Sequence, residues 1–517
     1  MRIAPTLLAV LMLIASPASP GPVFAPVKVP VHLYNGGPDY VVGGGLAAFD
    51  CNGDHLPDLF AAGGAARAML LINRAKPGGA VNFAAATPPE LALRHVIGAY
   101  PLDIDGDGIV DLAVLRVGRN LLLKGRGHCR FTPFKGLGFV STAHWTTAFS
   151  ATWENGAIRP TLAFGNYVDR SNPEGPFKAC DVNLLYRPKG ARYVSPVVLA
   201  PSYCALSMLF SDWNRSGHAD LRISNDRHYY VSGGQEQLWK MAARPRLYTQ
   251  QEGWHRQMLF GMGIASRDIT GDGLPEVFLS SMGDQKLEMR EPGHPGPSYR
   301  VVPYRLGTAA QRPYAGGDTR PSTGWQICFG DVNNDGRDDV FIAKGNVDQM
   351  AMSALKDPNN LLMQAADGSF AEAGLSAGVA SMARGRGAVL IDFNADGRLD
   401  LAVANRRAPL EVYQNETADS GNWLELALRQ AAPNVNAVGA WIELRSTGRL
   451  QSREITVGGG HASGHLGLAH FGLGAATSAR VRVIWPDGRT SSWQEVAANA
   501  RLMLQPSGGK SLIVTPY

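Results

Sequence analysis

Along this chain, short apolar runs alternate with polar, aspartate-rich turns, and one turn-then-strand unit recurs over most of its length. The clearest copy is Asp103-Ile104-Asp105-Gly106-Asp107-Gly108-Ile109-Val110-Asp111, which runs into Leu112-Ala113-Val114-Leu115. Acidic side chains stand at positions 1, 3, 5 and 9 of a tight loop, with Gly at position 6. Carboxylates this close repel one another unless a cation sits among them. The apolar run reads as a buried strand, so the unit is a metal loop feeding a β-strand.

Five more copies keep an oxygen side chain at the same four positions. They supply Asp50, Asn52, Asp54 and Asp58; Asp212, Asn214, Ser216 and Asp220; and Asp268, Thr270, Asp272 and Glu276. The last two supply Asp331, Asn333, Asp335 and Asp339, then Asp392, Asn394, Asp396 and Asp400. The loops begin at residues 50, 103, 212, 268, 331 and 392, so one interval, of 109 residues, is about twice the others. A degenerate copy is therefore expected near residue 150, where Ala148 to Gly156 keep strand and turn signals but few carboxylates. Seven stacked units that cannot bury their own cores predict an all-β, seven-bladed β-propeller.

The EF-hand alternative needs Glu at position 12 and flanking helices. Position 12 is Val114 in one copy and Val403 in another, and strands follow both. The plain alternative, a metal-free Asx turn, fits a single copy well but not six with one spacing. All-oxygen donor sets point to Ca²⁺ rather than zinc or copper, with up to six sites. The loop at Asp103 is the best charged, whereas Ser216 predicts a weaker third site and Thr270 with the longer Glu276 an altered fourth.

Composition adds a compartment. Residues 1–18 carry Arg2, an apolar segment from Leu7 to Ala15, and the small-residue exit Ser16-Pro17-Ala18, which reads as a secretory signal peptide. No later stretch is long and apolar enough to span a bilayer, so the expectation is a secreted or periplasmic protein with no transmembrane segment. Of the five cysteines, Cys180 and Cys204 are placed to close a disulfide, while Cys51, Cys129 and Cys328 read as free thiols. Net charge is +5, and 18 of the 44 acids sit at loop positions. Arginines are scattered without a basic run, and no nucleic-acid module is present.

The repeats span residues 19–418, and residues 419–517 follow after a polar linker with a pattern of their own. Expected strands there include Trp423 to Leu426, Ala440 to Leu444, Arg453 to Val457 and Val481 to Trp485, forming a small β domain beside the propeller. The Asp loops with their Gly-rich approaches, such as Gly261-Met262-Gly263, resemble FG-GAP/VCBS repeats of the integrin-α type. The tail resembles the ASPIC/UnbV domain through Asn436-Ala437-Val438-Gly439-Ala440, Gly458-Gly459-Gly460, His470-Phe471-Gly472-Leu473-Gly474 and Trp485-Pro486-Asp487-Gly488. Together they resemble the cartilage acidic protein 1-like (CRTAC1-like) family. The resemblance implies a seven-bladed propeller, calcium in the blade loops and an extracellular or periplasmic setting, and supplies no reaction.

Catalytic signatures are weak. Gly460-His461-Ala462-Ser463-Gly464 has the wrong spacing for a nucleophile elbow, and no phosphate-binding or dinucleotide loop is present. His461, His465 and His470 form a loose cluster that reads as structural rather than metal-binding. The leading expectation is a monomeric, calcium-stabilised binding or adhesion protein with a protein or glycan ligand and no catalytic residues. The second is an exported glycan-active hydrolase or lyase working in the propeller channel. The third is a structural module of a larger exported assembly.

Overall fold

The computed structural model describes residues 21–154, 156–173, 179–226, 233–316 and 318–517. The proposed signal peptide and Asn155 lie outside the described residues. Seven four-stranded antiparallel blades form a propeller. Blade 1 is Leu46–Phe49, Asp58–Ala61, Met69–Asn73 and Phe83–Ala85; blade 2 is Val96–Leu102, Asp111–Arg119, Leu121–Gly125 and Phe131–Pro133. Blade 3, the copy expected near residue 150, is Ala143–Thr152, Thr161–Asn166, Asn183–Tyr186 and Val197–Leu199. Blade 4 is Ala205–Ser211, Asp220–Asn225, Gln237–Lys240 and Arg246–Leu247; blade 5 is Gly261–Arg267, Glu276–Ser281, Lys286–Arg290 and Tyr299–Val301. Blade 6 is Gly324–Gly330, Asp339–Lys344, Asn360–Gln364 and Phe370–Glu372.

Blade 7 closes the ring. Arg384–Ile391, Asp400–Arg406 and Glu411–Asn415 are joined by Phe24–Val27 from the start of the described chain, with Phe24 opposite Asn415. This leaves no blade to fray from an unmatched last repeat. Second strands such as Asp58–Ala61 and Asp400–Arg406 are buried at every residue. Each sheet is covered on both faces by its neighbours, which is why these strands read as continuous apolar runs. One such interface packs Phe341 and Leu361 of blade 6 against Leu401 and Val403 of blade 7.

The disulfide expectation is half corrected. Cys180 pairs with Cys204, and Cys51, read as a free thiol, pairs with Cys129 across 78 residues, tying blade 1's loop to blade 2. Cys328 is free. The second pair was hidden because its partners meet only once the blades stack.

Two four-stranded sheets follow the propeller. One orders Ala469–Gly474, Asn422–Leu428, Ala500–Pro506 and Leu512–Pro516; the other orders Arg449–Glu454, Trp441–Ser446, Ser478–Ile484 and Gln494–Ala497. Leu424, Ile442, Phe471, Val481 and Trp485 lie in their shared core. The run expected as a strand from Arg453 to Val457 ends at Glu454, and the chain leaves the sheet. Nor does the domain merely lie beside the propeller. Its segment 457–465 enters the centre of the ring, where Val457, Gly460 and Ser463 bridge to Ala151, Ile264 and Ala99, and Gly464–His465 runs parallel to Ala47 and Ala48.

Candidate metal centres and the covered loop face

Every Asp loop joins the first strand of its blade to the second, and the position 1 carboxylate plays the same part in all six. The position 1 carboxylate gathers amides of its own loop: Asp103 accepts from Gly106 and Gly108 at 2.8 Å each, and Asp331 accepts from Asp335 and Gly336. To turn those amides inward, positions 4 and 6 take left-handed backbone in every copy. Gly106 and Gly108 are at φ +76° and +82°, and Asn334 and Gly336 at +58° and +89°. The first loop has His55 at position 6, at φ +66°, where the other copies have Gly.

Position 9 holds the loop to the blade. Asp111 accepts from the Ile104 amide (2.8 Å) and from Gly125 at the end of the third strand (2.7 Å). Asp58, Asp339 and Asp400 repeat this with Cys51 and Asn73, Val332 and Gln364, and Phe393 and Asn415. Glu276 keeps only the amide bonds at its own loop, from Ile269 and Thr270, and an added bond from the Thr270 hydroxyl. That is the altered geometry its length suggests.

The second loop gathers its donors most closely: Asp103, Asp105 and Asp111 each place an oxygen within 4.8 Å of the others. Asp105 Oδ1 is buried without a hydrogen-bond partner. Asp107 instead turns to Lys124, which also contacts Asp105. Sequence reading missed this lysine, and with it Arg337 and Arg398, which pair with Asp335 and Asp396 of their own loops. In the first and last loops Asn52 and Asn394 reach Asp54 and Asp396, and Asn394 Oδ1 is also buried without a partner. The third loop differs. Trp213, Tyr248 and the Met241 amide all donate to Asp220, while Ser216 and Asn214 make only loop contacts. A carboxylate so fully engaged has little left for a cation.

A further group, Cys51, Asp58 and Cys129, brings ligand-type atoms together, but both sulfurs belong to the disulfide and have no thiolate to offer. Among the described residues the three histidines do not bring their ring nitrogens together as a metal site. His461 Nε2 accepts from the Gly43 amide (2.9 Å), and its ring sits 4.8 Å from that of Trp325, which lies over the Arg386 guanidinium. His470 Nε2 contacts Gly397 O, and burial lowers its pKa to about 4.

Burial dominates the electrostatics of the loops. It raises Asp58 to about 7, Asp392 to about 6, and Asp111 and Glu276 to about 8, with neighbouring carboxylates adding to the shift. Asp331, Asp339 and Asp400 are also pushed well up by burial, then by like charge. Such groups bind a proton more tightly folded than unfolded, so without metal the fold should lose stability as pH rises from roughly 4 to 8. A cation that needs them ionised opposes this loss. Urea midpoints at pH 5 and pH 8, in metal-stripped buffer and in calcium, check it. The stripped protein should be more stable at pH 5, and the calcium increment larger at pH 8. An equal increment at both would contradict the assignment.

The C-terminal domain sits on this loop face. Arg215 of the third loop pairs with Glu443 and stacks on Trp441, and Arg453 pairs with Asp338 of the fifth. Arg501 donates to His55 O of the first, and Arg449 to Ile269 O of the fourth. The sixth loop meets His470, and Pro433 lies against Gly106 of the second. The small-residue approaches now have a reason. A Cβ on Gly45 or Gly98 would come within 1.8 or 2.0 Å of Ala462 O, so glycine lets the central segment lie against the inner strands.

Residues 331–403 match the FG-GAP-like repeat family and residues 430–511 the ASPIC and UnbV family. With the seven blades, this makes the chain an FG-GAP-type β-propeller protein with a C-terminal ASPIC/UnbV domain. It is distantly homologous to cartilage acidic protein 1. It is 27% identical to the Mus musculus protein over 240 residues, covering 45% of this chain and 34% of that protein. It is 26% identical to the Homo sapiens protein over 239 residues, covering 45% and 34%. The chain thus matches about a third of the length of these relatives. Among solved structures, BBS1N in complex with ARL6DN aligns with TM-score 0.42 at 10% identity, covering 73% of this chain and 94% of that one. An Agrocybe aegerita lectin that recognises non-reducing terminal N-acetylglucosamine aligns with TM-score 0.41 at 13% identity, covering 73% and 92%.

Proposed function

We propose that the protein is an exported, calcium-stabilised binding protein in which Ca²⁺ in the blade loops fixes the face that carries the ASPIC/UnbV domain. The observation that carries this reading is the trio Asp103, Asp105 and Asp111, the first and last of them buried, with one shielded oxygen, Asp105 Oδ1, left without a partner. Buried oxygens of like charge with an unmet acceptor fit a hard divalent cation. The ion would be held by positions 1, 3, 5 and 9 of each loop and would neutralise them, with the third loop binding most weakly. The signal-like residues 1–18 and two disulfides support export.

Between binding protein and channel enzyme, the central segment favours the first. Segment 457–465 and the Trp325–Arg386 stack stand where a substrate would have to enter. The ligand is then met at the opposite loops or on the outer surface of the C-terminal domain, and is a protein or glycan. Arrays of extracellular proteins and glycans, probed in calcium and in EGTA, test this. Retention in calcium that is lost in EGTA is expected, and turnover of an arrayed glycan without retention would overturn it.

A further inference from the structure

A cavity of about 210 Å³ lies between the loop ends of blades 5 to 7 and the C-terminal domain. Its acids are already engaged: Asp268 accepts from the Gly271 and Gly273 amides, Asp338 pairs with Arg453, and Glu454 accepts from Ser211 and the Asp212 amide. Its bases are only partly so. The Arg267 side chain makes no hydrogen bond or ion pair among the described residues, and its Nε is buried without a partner. Arg453, only 3% exposed, pairs with Asp338 but leaves its Nε unpartnered. The His465 ring completes the wall, again without a hydrogen bond among the described residues.

We propose that this cavity binds a small oxyanion, with Arg267 as its main counter-charge and Arg453 and His465 as further donors. Guanidinium groups inside a protein are costly without a counter-charge, and their planar donor fork matches carboxylate, sulfate and phosphate oxygens. The space has room for such an ion together with several waters. Because its walls come from both domains, the anion would clamp the ASPIC/UnbV domain onto the propeller. This goes beyond the calcium reading and does not need it.

The test is isothermal titration of the full chain with sodium sulfate and, separately, sodium succinate against a chloride background of equal ionic strength, backed by melting temperatures. The wild type should give saturable binding of at least one of the two, which also tells tetrahedral from carboxylate ligands. Arg267→Gln should weaken it at least about tenfold. Sulfate also stabilises proteins generally by exclusion, so only a difference between variant and wild type counts as specific binding. His465→Asn, which breaks no bond, should weaken binding too and guards against a folding defect in the arginine variant. No saturable binding by either anion, or equal binding in all three proteins, would mean water alone fills the cavity. Calcium-dependent melting measured in parallel keeps the two proposals separable.

Discussion

Stripping calcium should lower the melting temperature of this protein by roughly 5–10 °C. A site filled at ten times its dissociation constant adds about 1.4 kcal/mol, because the metal binds the native loops and not the unfolded chain. The five loops other than the third would together add about 7 kcal/mol. The loss should be concentrated where the carboxylates are closest. Asp103, Asp331 and Asp392 are buried within their loops, and without a cation their charge is met by loop amides, by bases such as Lys124 and Arg398 beside the neighbouring acids, or by protonation. Differential scanning calorimetry in calcium and in EGTA, with magnesium as control, measures this. Equal melting in all three conditions would reduce the loops to turns.

The second large effect is expected from one added methyl group at Gly98. Its Cβ would stand 2.0 Å from the Ala462 carbonyl oxygen, a backbone atom that no side-chain rotation can move. Gly98 does not need left-handed backbone, so Gly98→Ala tests contact alone. Either the inner strand of blade 2 or the central segment has to shift, at a cost of about 3 kcal/mol. Gly45→Ala meets the same carbonyl at 1.8 Å, so the double variant should cost less than the sum. Gly37→Ala, with open space around it, should stay within about 0.5 kcal/mol of wild type. Limited proteolysis gives the structural readout: loosening of the central segment should expose the linker around Thr417–Gly421 to cleavage. A fully stable Gly98→Ala would mean that the central segment is not seated as described.

The loops were legible because their chemistry is local. A tight turn with carboxylates at positions 1 and 9 needs positions 4 and 6 in left-handed backbone, and the Gly at most of these positions, with Asn334 at one, advertises that need in the sequence. Blade 3 was legible for a different reason. Its strands survive the loss of carboxylates, since Ala148, Phe149, Leu162 and Phe164 still fill the core. What stayed hidden depends on partners far along the chain. Gly458-Gly459-Gly460 marks a family motif, but nothing in those residues says that Gly459 meets Met208 O or that Gly460 meets Ile264 O. Arg267 likewise reads as an ordinary strand end beside Asp268, and its isolation follows only from the docked domain. Cys129 gave no sign of Cys51 for the same reason.

Counting bound calcium is the most direct test of the central claim. Equilibrium dialysis of the full chain at millimolar calcium, followed by metal analysis, should find several ions per chain. Asp105→Ala should bind one ion fewer while keeping its fold, since no backbone amide depends on that side chain, which bonds instead to Lys124. Less than one ion per wild-type chain, or an unchanged count in the variant, would contradict the account.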